Sequence, residues 1–116
     1  MPTVAPSEGS PVAVAALASP ALVVLRGGAI GACVPLTGPA SRWVLGRAPQ
    51  CEVLLDDKRV SLRHAVVQRE AQGFLLADLE SRNGTAVNGQ SLGRGGRAWV
   101  RPGDVLGLGD TAVVVR

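Results

Sequence analysis

The feature that most limits what this chain can fold into is its punctuation. From residue 21 onward it is a series of brief segments rich in Val and Leu, each closed by glycine or proline. Short β-branched runs set between turn residues favour strands. No window longer than about ten residues carries a sustained helical stripe, so a helix-rich fold is disfavoured. Segments 22–25, 29–36, 43–45 and 52–55 read as the first four strands. Residues 65–69 and 74–79 read as antiparallel partners around Ala71-Gln72-Gly73, and Pro102-Gly103-Asp104 and Gly109-Asp110 punctuate the closing segments 105–108 and 111–115. Two Asn-Gly pairs, Asn83-Gly84 and Asn88-Gly89, predict sharp consecutive reversals, because both residue types accept positive φ. About ten to eleven short strands at this spacing predict an all-β antiparallel sandwich, with functional residues on loops at one end.

Length and composition set the domain count. A chain of 116 residues holds one core, and 47% hydrophobic residues with 18% charged ones suit a folded unit. Residues 1–20 differ: they contain no Lys or Arg and one acid, Glu8, among Ala, Pro, Ser, Gly and Val. They read as a flexible tail or linker ahead of a domain at 21–116, with Val12-Ala13-Val14-Ala15-Ala16-Leu17 able to dock as an edge strand or a helical turn. The apolar part of that tail is too short to span a bilayer and no cation precedes it, so no membrane insertion is expected. Cys33 and Cys51 lie too far apart for a Cys-x-x-Cys motif and there is one histidine, so no metal site is expected. The cysteines read as two buried thiols, which points to the cytoplasm. A net charge of +3 with one Phe, two Trp and no Tyr lacks the basic stripe and stacking aromatics of a nucleic-acid binder. The two tryptophans, Trp43 and Trp99, read as core or rim packing residues.

The longest polar interruption is Asp56-Asp57-Lys58-Arg59-Val60-Ser61-Leu62-Arg63-His64, with three cations, a hydroxyl and the single histidine. Guanidinium groups bind phosphate oxygens in pairs and a hydroxyl adds one directed bond, so such a loop suits a tetrahedral dianion. Arg47 follows Gly46 at a strand end, where a glycine lets the backbone turn and a long cation projects over the sheet edge. Alone, Arg47 is a solvated surface arginine and Ser61 a loop cap. His64 is a general base or, preferably, a partly buried brace bonding loop atoms, since no nucleophile and carboxylate orienter accompany it. Asn83 is a turn former whose amide is also able to bond an extended ligand's backbone.

The order and spacing of these parts carry more than each part alone. Gly46-Arg47, Ser61-x-x-His64, Asn83-Gly84-Thr85, Val87-Asn88-Gly89 and Gly103-Asp104 follow one another, within the text Leu45-Gly46-Arg47-Ala48-Pro49-Gln50-Cys51, Val53-Leu54-Leu55-Asp56-Asp57 and Asp78-Leu79-Glu80-Ser81-Arg82-Asn83-Gly84-Thr85. Over roughly residues 22–115 the chain closely resembles the forkhead-associated (FHA) domain, an FHA/SMAD-like β-sandwich that binds phosphothreonine peptides. The resemblance implies that Arg47 and Ser61 hold the phosphate and that Asn83 bonds the ligand main chain. His64 braces the binding loops, with Gly46, Gly84, Thr85, Asn88 and Gly89 as further structural support. Arg59 stands where some members contact the third residue after phosphothreonine, so a cation there favours an acidic side chain, and Arg63 is a second specificity candidate.

Two positions depart from the family pattern. Leu62 replaces a residue that often donates to phosphate, and Arg82 replaces a threonine or serine before Asn-Gly, where its guanidinium is placed to compensate. The implied partner is a phosphothreonine protein or peptide, a Ser/Thr kinase or its substrate, bound by a monomeric module without cofactor or catalysis. Leu62 and the apolar tail also allow a phosphate-independent assembly module. Phosphoester hydrolysis with His64 as base lacks metal ligands and a nucleophile.

Overall fold

Alternating side chains give each short segment one apolar face, and backbone pairing between segments is what lets that face be buried. The computed structural model describes residues 19–27 and 30–116, and among them eleven strands and no helix. They are β1 (Ala21–Arg26), β2 (Cys33–Pro35), β3 (Arg42–Gly46), β4 (Val53–Leu54), β5 (Ala65–Glu70), β6 (Gly73–Asp78), β7 (Thr85–Val87), β8 (Gln90–Ser91), β9 (Arg97–Val100), β10 (Val105–Leu108) and β11 (Thr111–Val115). One sheet has the order β2-β1-β11-β10-β7-β8 and the other β4-β3-β5-β6-β9. Leu22, Val24, Leu106, Leu108, Val113 and Val115 of the first meet Trp43, Leu45, Ala65, Val67, Leu76 and Val100 of the second in one core. The Trp43 and Phe74 rings pack 6.3 Å apart, and Arg69 lies over Trp43 while its guanidinium donates to the carbonyls of Gly38 and Ala40.

Strand direction gathers the loops. All pairings are antiparallel except β3 with β4, where Leu45 lies beside Val53 and Gly46 beside Leu54. β3 and β4 therefore both end at the same rim. Ala65 lies opposite Leu45, so β5 starts there, and Asp78 lies opposite Ala65, so β6 ends there. Leu108 pairs with Thr85 and Thr111, which brings the β6–β7 loop and the β10–β11 hairpin to the same rim. Leu55 and Val60, both buried, pin the polar loop 56–64 into the core from below.

Several sequence expectations shift. The second strand keeps only Cys33–Pro35 of 29–36, because a tight turn at Gly31 (φ +88°) uses the backbone first: Gly31 N donates to Val24 O and Val24 N to Ala32 O. Asn88-Gly89 forms the β7–β8 hairpin with positive φ at both residues. Asn83-Gly84 is not a hairpin. Only Gly84 has positive φ there, and residues 79–84 cross from one sheet to the other. The two thiols are not both buried: Cys33 sits exposed on the edge strand β2, and Cys51 is half-buried in the β3–β4 loop. Trp43 is core, whereas Trp99 is 53% exposed on the edge strand β9. The stretch read as a tail lies outside the described residues apart from Ser19 and Pro20.

Candidate functional site

Two loops touch at Gly46. A side chain there would overlap the carbonyl oxygen of Leu62, so only glycine lets the β3 end and the polar loop approach this closely. The contact is then sewn by backbone bonds from Arg47 N to Ser61 O and from Ala48 N to Leu62 O, both 3.0 Å. Arg47 Nε donates to Val60 O at 3.0 Å, which fixes the guanidinium over the loop and leaves its two terminal nitrogens for a ligand.

His64 ties this pair to the third loop. It is fully buried, its Nδ1 accepts from Ser61 N at 3.0 Å, and its Nε2 lies 2.7 Å from Gly84 O. A carbonyl only accepts, so the ring proton resides on Nε2. Neither nitrogen is left to take a proton from a ligand. The geometry is that of a brace and not of a general base.

Two carboxylates that the sequence reading passed over complete the frame. Asp78, buried at the end of β6, accepts through Oδ1 from the hydroxyls of Ser81 and Thr85 and through Oδ2 from the amides of Ser81 and Gly95. Burial pushes its carboxyl up, but these bonds outweigh that and hold it below the ordinary aspartate range. The loop reversal this shapes passes through Glu80 at φ +56°. Asp57 accepts from Arg59 N, Asp110 N and Thr111 Oγ1, so the polar loop is clamped to the β10–β11 hairpin. Its carboxyl is also lowered, burial being outweighed by the bonds from Thr111, Arg59 and Asp110. In sequence both look like turn aspartates, and nothing in their spacing marks the donors they collect.

The result is an open groove of about 260 Å³. Arg47, Lys58, Arg59 and Arg82 line it with Ser61 and Asn83, and no acid does. Ser61 Oγ accepts from Arg82 N at 3.0 Å, so its hydroxyl proton is free to be donated. Asn83 Nδ2 donates to Arg59 O at 2.8 Å, which sets the amide plane and leaves Oδ1 and the second N–H for another chain. Arg59 lies 3.7 Å from Asp110 in an exposed pair of little energetic weight.

Not every expected residue comes to the groove. Arg63, next to Leu62, points its lining contribution into a neighbouring cavity with Val44, Ala48 and Glu52. Asn88 and Gly89 sit at the other end of β7, where Asn88 bonds Asp104 and Val105 N. Asn88 braces the start of β10 instead of the loop carrying Asn83, and Gly89 completes the β7–β8 turn. Asp78, Ser81 and Thr85 brace the Asn83 loop from within, alongside the bond from His64 to Gly84 O.

A family model of the FHA domain matches residues 43–109, more than half of the chain. The chain belongs to the FHA domain family. This FHA domain is similar to the FHA domain-containing protein FhaA of Mycobacterium tuberculosis, 38% identical over 74 residues, covering 63% of this chain and 13% of that protein. It is 39% identical over 89 residues to the glycogen accumulation regulator GarA of Mycolicibacterium smegmatis, covering 75% of this chain and 55% of GarA. The chain thus spans about half of GarA and a small part of FhaA. Among solved structures, a domain studied for phosphothreonine-dependent FHA domain interactions superposes with a TM-score of 0.74 at 33% identity, covering 84% of this chain and 95% of the other. Among the described residues of this FHA domain, no helix is long and apolar enough to cross a membrane.

Proposed function

We propose that this FHA domain is a phosphothreonine-dependent interaction module that recruits phosphorylated partners in Ser/Thr kinase signalling, and that it binds without catalysing a reaction. One observation carries the reading: four cations and a hydroxyl with a free proton face a single groove that holds no acid. Phosphothreonine brings nearly two negative charges and three acceptor oxygens at neutral pH. The terminal nitrogens of Arg47 take two oxygens, Ser61 Oγ–H donates to one, and Arg82 adds charge beside Ser61. Asn83 bonds the main chain beside the phosphothreonine. Arg59 selects an acidic side chain further along.

The groove discriminates because a plain threonine offers none of that charge. A hydrogen bond to a charged group is worth about 1.5 to 3 kcal/mol, so losing two or three of them weakens binding by roughly two to five orders of magnitude. The module works in the cytoplasm. Its partner is a phosphorylated kinase or kinase substrate, in line with the phosphothreonine-dependent interactions of the similar solved domain.

Titration of the labelled domain with a phosphothreonine peptide, followed by amide chemical shifts, tests the assignment. Shifts should concentrate at Arg47, Ser61, Leu62, Arg82 and Asn83. Shifts confined to β1 and β2, or none at all, would remove it.

A further inference from the structure

Leu62 is the residue that the phosphate site leaves unexplained. It is a large apolar side chain, 56% exposed, one position after Ser61. It lines the phosphate groove on one side and on the other a separate cavity of about 420 Å³. We infer that this cavity is a second subsite of the same peptide-binding surface, taking an aliphatic or aromatic side chain of the ligand close to the phosphothreonine. The inference rests on the phosphothreonine reading and adds to it a preference that the phosphate contacts do not supply.

The construction of the cavity supports an apolar occupant. Val44, though buried, lies on the outer face of its sheet, since its neighbours Trp43 and Leu45 pack in the core cluster and it does not. It lines the cavity with Ala48, Cys51 and Leu62, the apolar part of a lining that also includes Gln50, Glu52 and Arg63. These walls are held in place: Ala48 N donates to Leu62 O, and Cys51 Sγ donates to the same oxygen at 3.2 Å. Glu52 is held as well, its Oε1 accepting from Val44 N at 2.7 Å. Glu52 and Arg63 carry opposite charges at the cavity, so it has no net sign to select for. The phosphate groove next to it has four cations and no acid. The two compartments therefore ask for different chemistry from adjacent residues of one chain.

Their order along the loop fixes where the apolar residue belongs. Asn83 is bonded to Arg59, Arg82 to Ser61, and Ala48 to Leu62, so the loop runs from the Asn83 side to the cavity side with Ser61 between. An extended peptide advances about 3.3 Å per residue. With its phosphate on Ser61 and its backbone on Asn83, it reaches the cavity within about three residues on the flank away from Asn83. Burying one Leu-sized side chain against such walls is expected to tighten binding by about tenfold or more.

The test is a phosphothreonine peptide library randomised at three positions on each flank, followed by calorimetry on the selected peptide and its leucine-to-glycine counterpart. Selection of Leu, Ile, Val, Met or Phe at a position on the flank away from Asn83, with an affinity difference of tenfold or more, is the expected result. Ala48→Gln, which fills the cavity from its wall, should reduce that difference to within about twofold while binding stays phosphate-dependent. Phosphate-dependent binding with no apolar preference on that flank would overturn the subsite and leave the phosphothreonine reading intact. A preference that survives Ala48→Gln in a folded variant would overturn it too. Failure of every phosphorylated peptide to bind better than its plain counterpart would overturn both readings. The peptide-side comparison needs no change to the protein, so it stands even if the variant does not fold.

Discussion

His64 and Gly84 lie 20 positions apart in the chain and are joined by a single Nε2–H···O bond of 2.7 Å, made from inside the molecule. With the Ser61 amide on the other ring nitrogen, one imidazole holds two of the three binding loops at a set separation. The rim is thus held from below by a side chain with no surface open to solvent.

His64→Ala should therefore act on stability first. It leaves a half-buried amide and a half-buried carbonyl without partners and opens a cavity, which together cost about 3 kcal/mol. In a domain of this size the melting temperature should fall by more than about 10 °C in scanning calorimetry. An unaltered melting temperature would remove the bracing role.

Arg47→Ala should do the reverse. Its side chain is exposed and makes one bond within the domain, to Val60 O, so stability should change by less than about 1 kcal/mol. Affinity for a phosphothreonine peptide should drop by more than about thirtyfold, the worth of a charge-assisted pair. Arg47→Lys should recover only part of the loss, since an ammonium cannot span two phosphate oxygens. Affinity and thermal unfolding measured on one preparation separate the two effects.

Acid should loosen the domain. The carboxyls of Asp57, Asp78 and Asp104 all lie below the ordinary aspartate value of 3.8. For Asp104 the cause is first the Arg101 amide and then the Asn88 side chain. A depressed folded-state pKa adds stability above the unfolded value and loses it as pH falls through the folded one. Stability should hold near neutrality and decline below about pH 4, as seen by denaturant unfolding at stepped pH. Asp78→Asn should remove about 3 kcal/mol at pH 7, because an amide nitrogen cannot accept two of the four bonds, and should flatten the acid slope.

Gly46→Ala should damage both properties. The added methyl meets the carbonyl of Leu62, and the only relief is to part the two loops that carry Arg47 and Ser61. Stability should fall by about 1 to 3 kcal/mol, and phosphopeptide affinity should fall with it. A variant with full affinity would show that the close approach is not needed for the groove.

The strand pattern was legible because Val, Leu and glycine alternate on a scale local to each segment. Arg47, Ser61, Arg82 and Asn83 were legible as a set only through their order, and the structure brings all four to one groove. What stayed hidden depends on contacts far apart in sequence. Asn83-Gly84 carries the local chemistry of a hairpin, yet Asp78 collects the donors around it and the chain crosses to the other sheet. Asn88-Gly89, with the same chemistry, does form one, because Val87 and Gln90 find each other as partners. The surroundings of Leu62 were equally invisible, since the cavity it lines is built with Val44 and Ala48 from another strand end.

The most direct measurement is calorimetry of the domain with two peptides identical except for the phosphate on one threonine. Binding of the phosphorylated peptide at least about a hundredfold tighter than the plain one, lost in Arg47→Ala, is the predicted result. Equal affinity for both peptides, or tight binding that survives Arg47→Ala, would contradict the account.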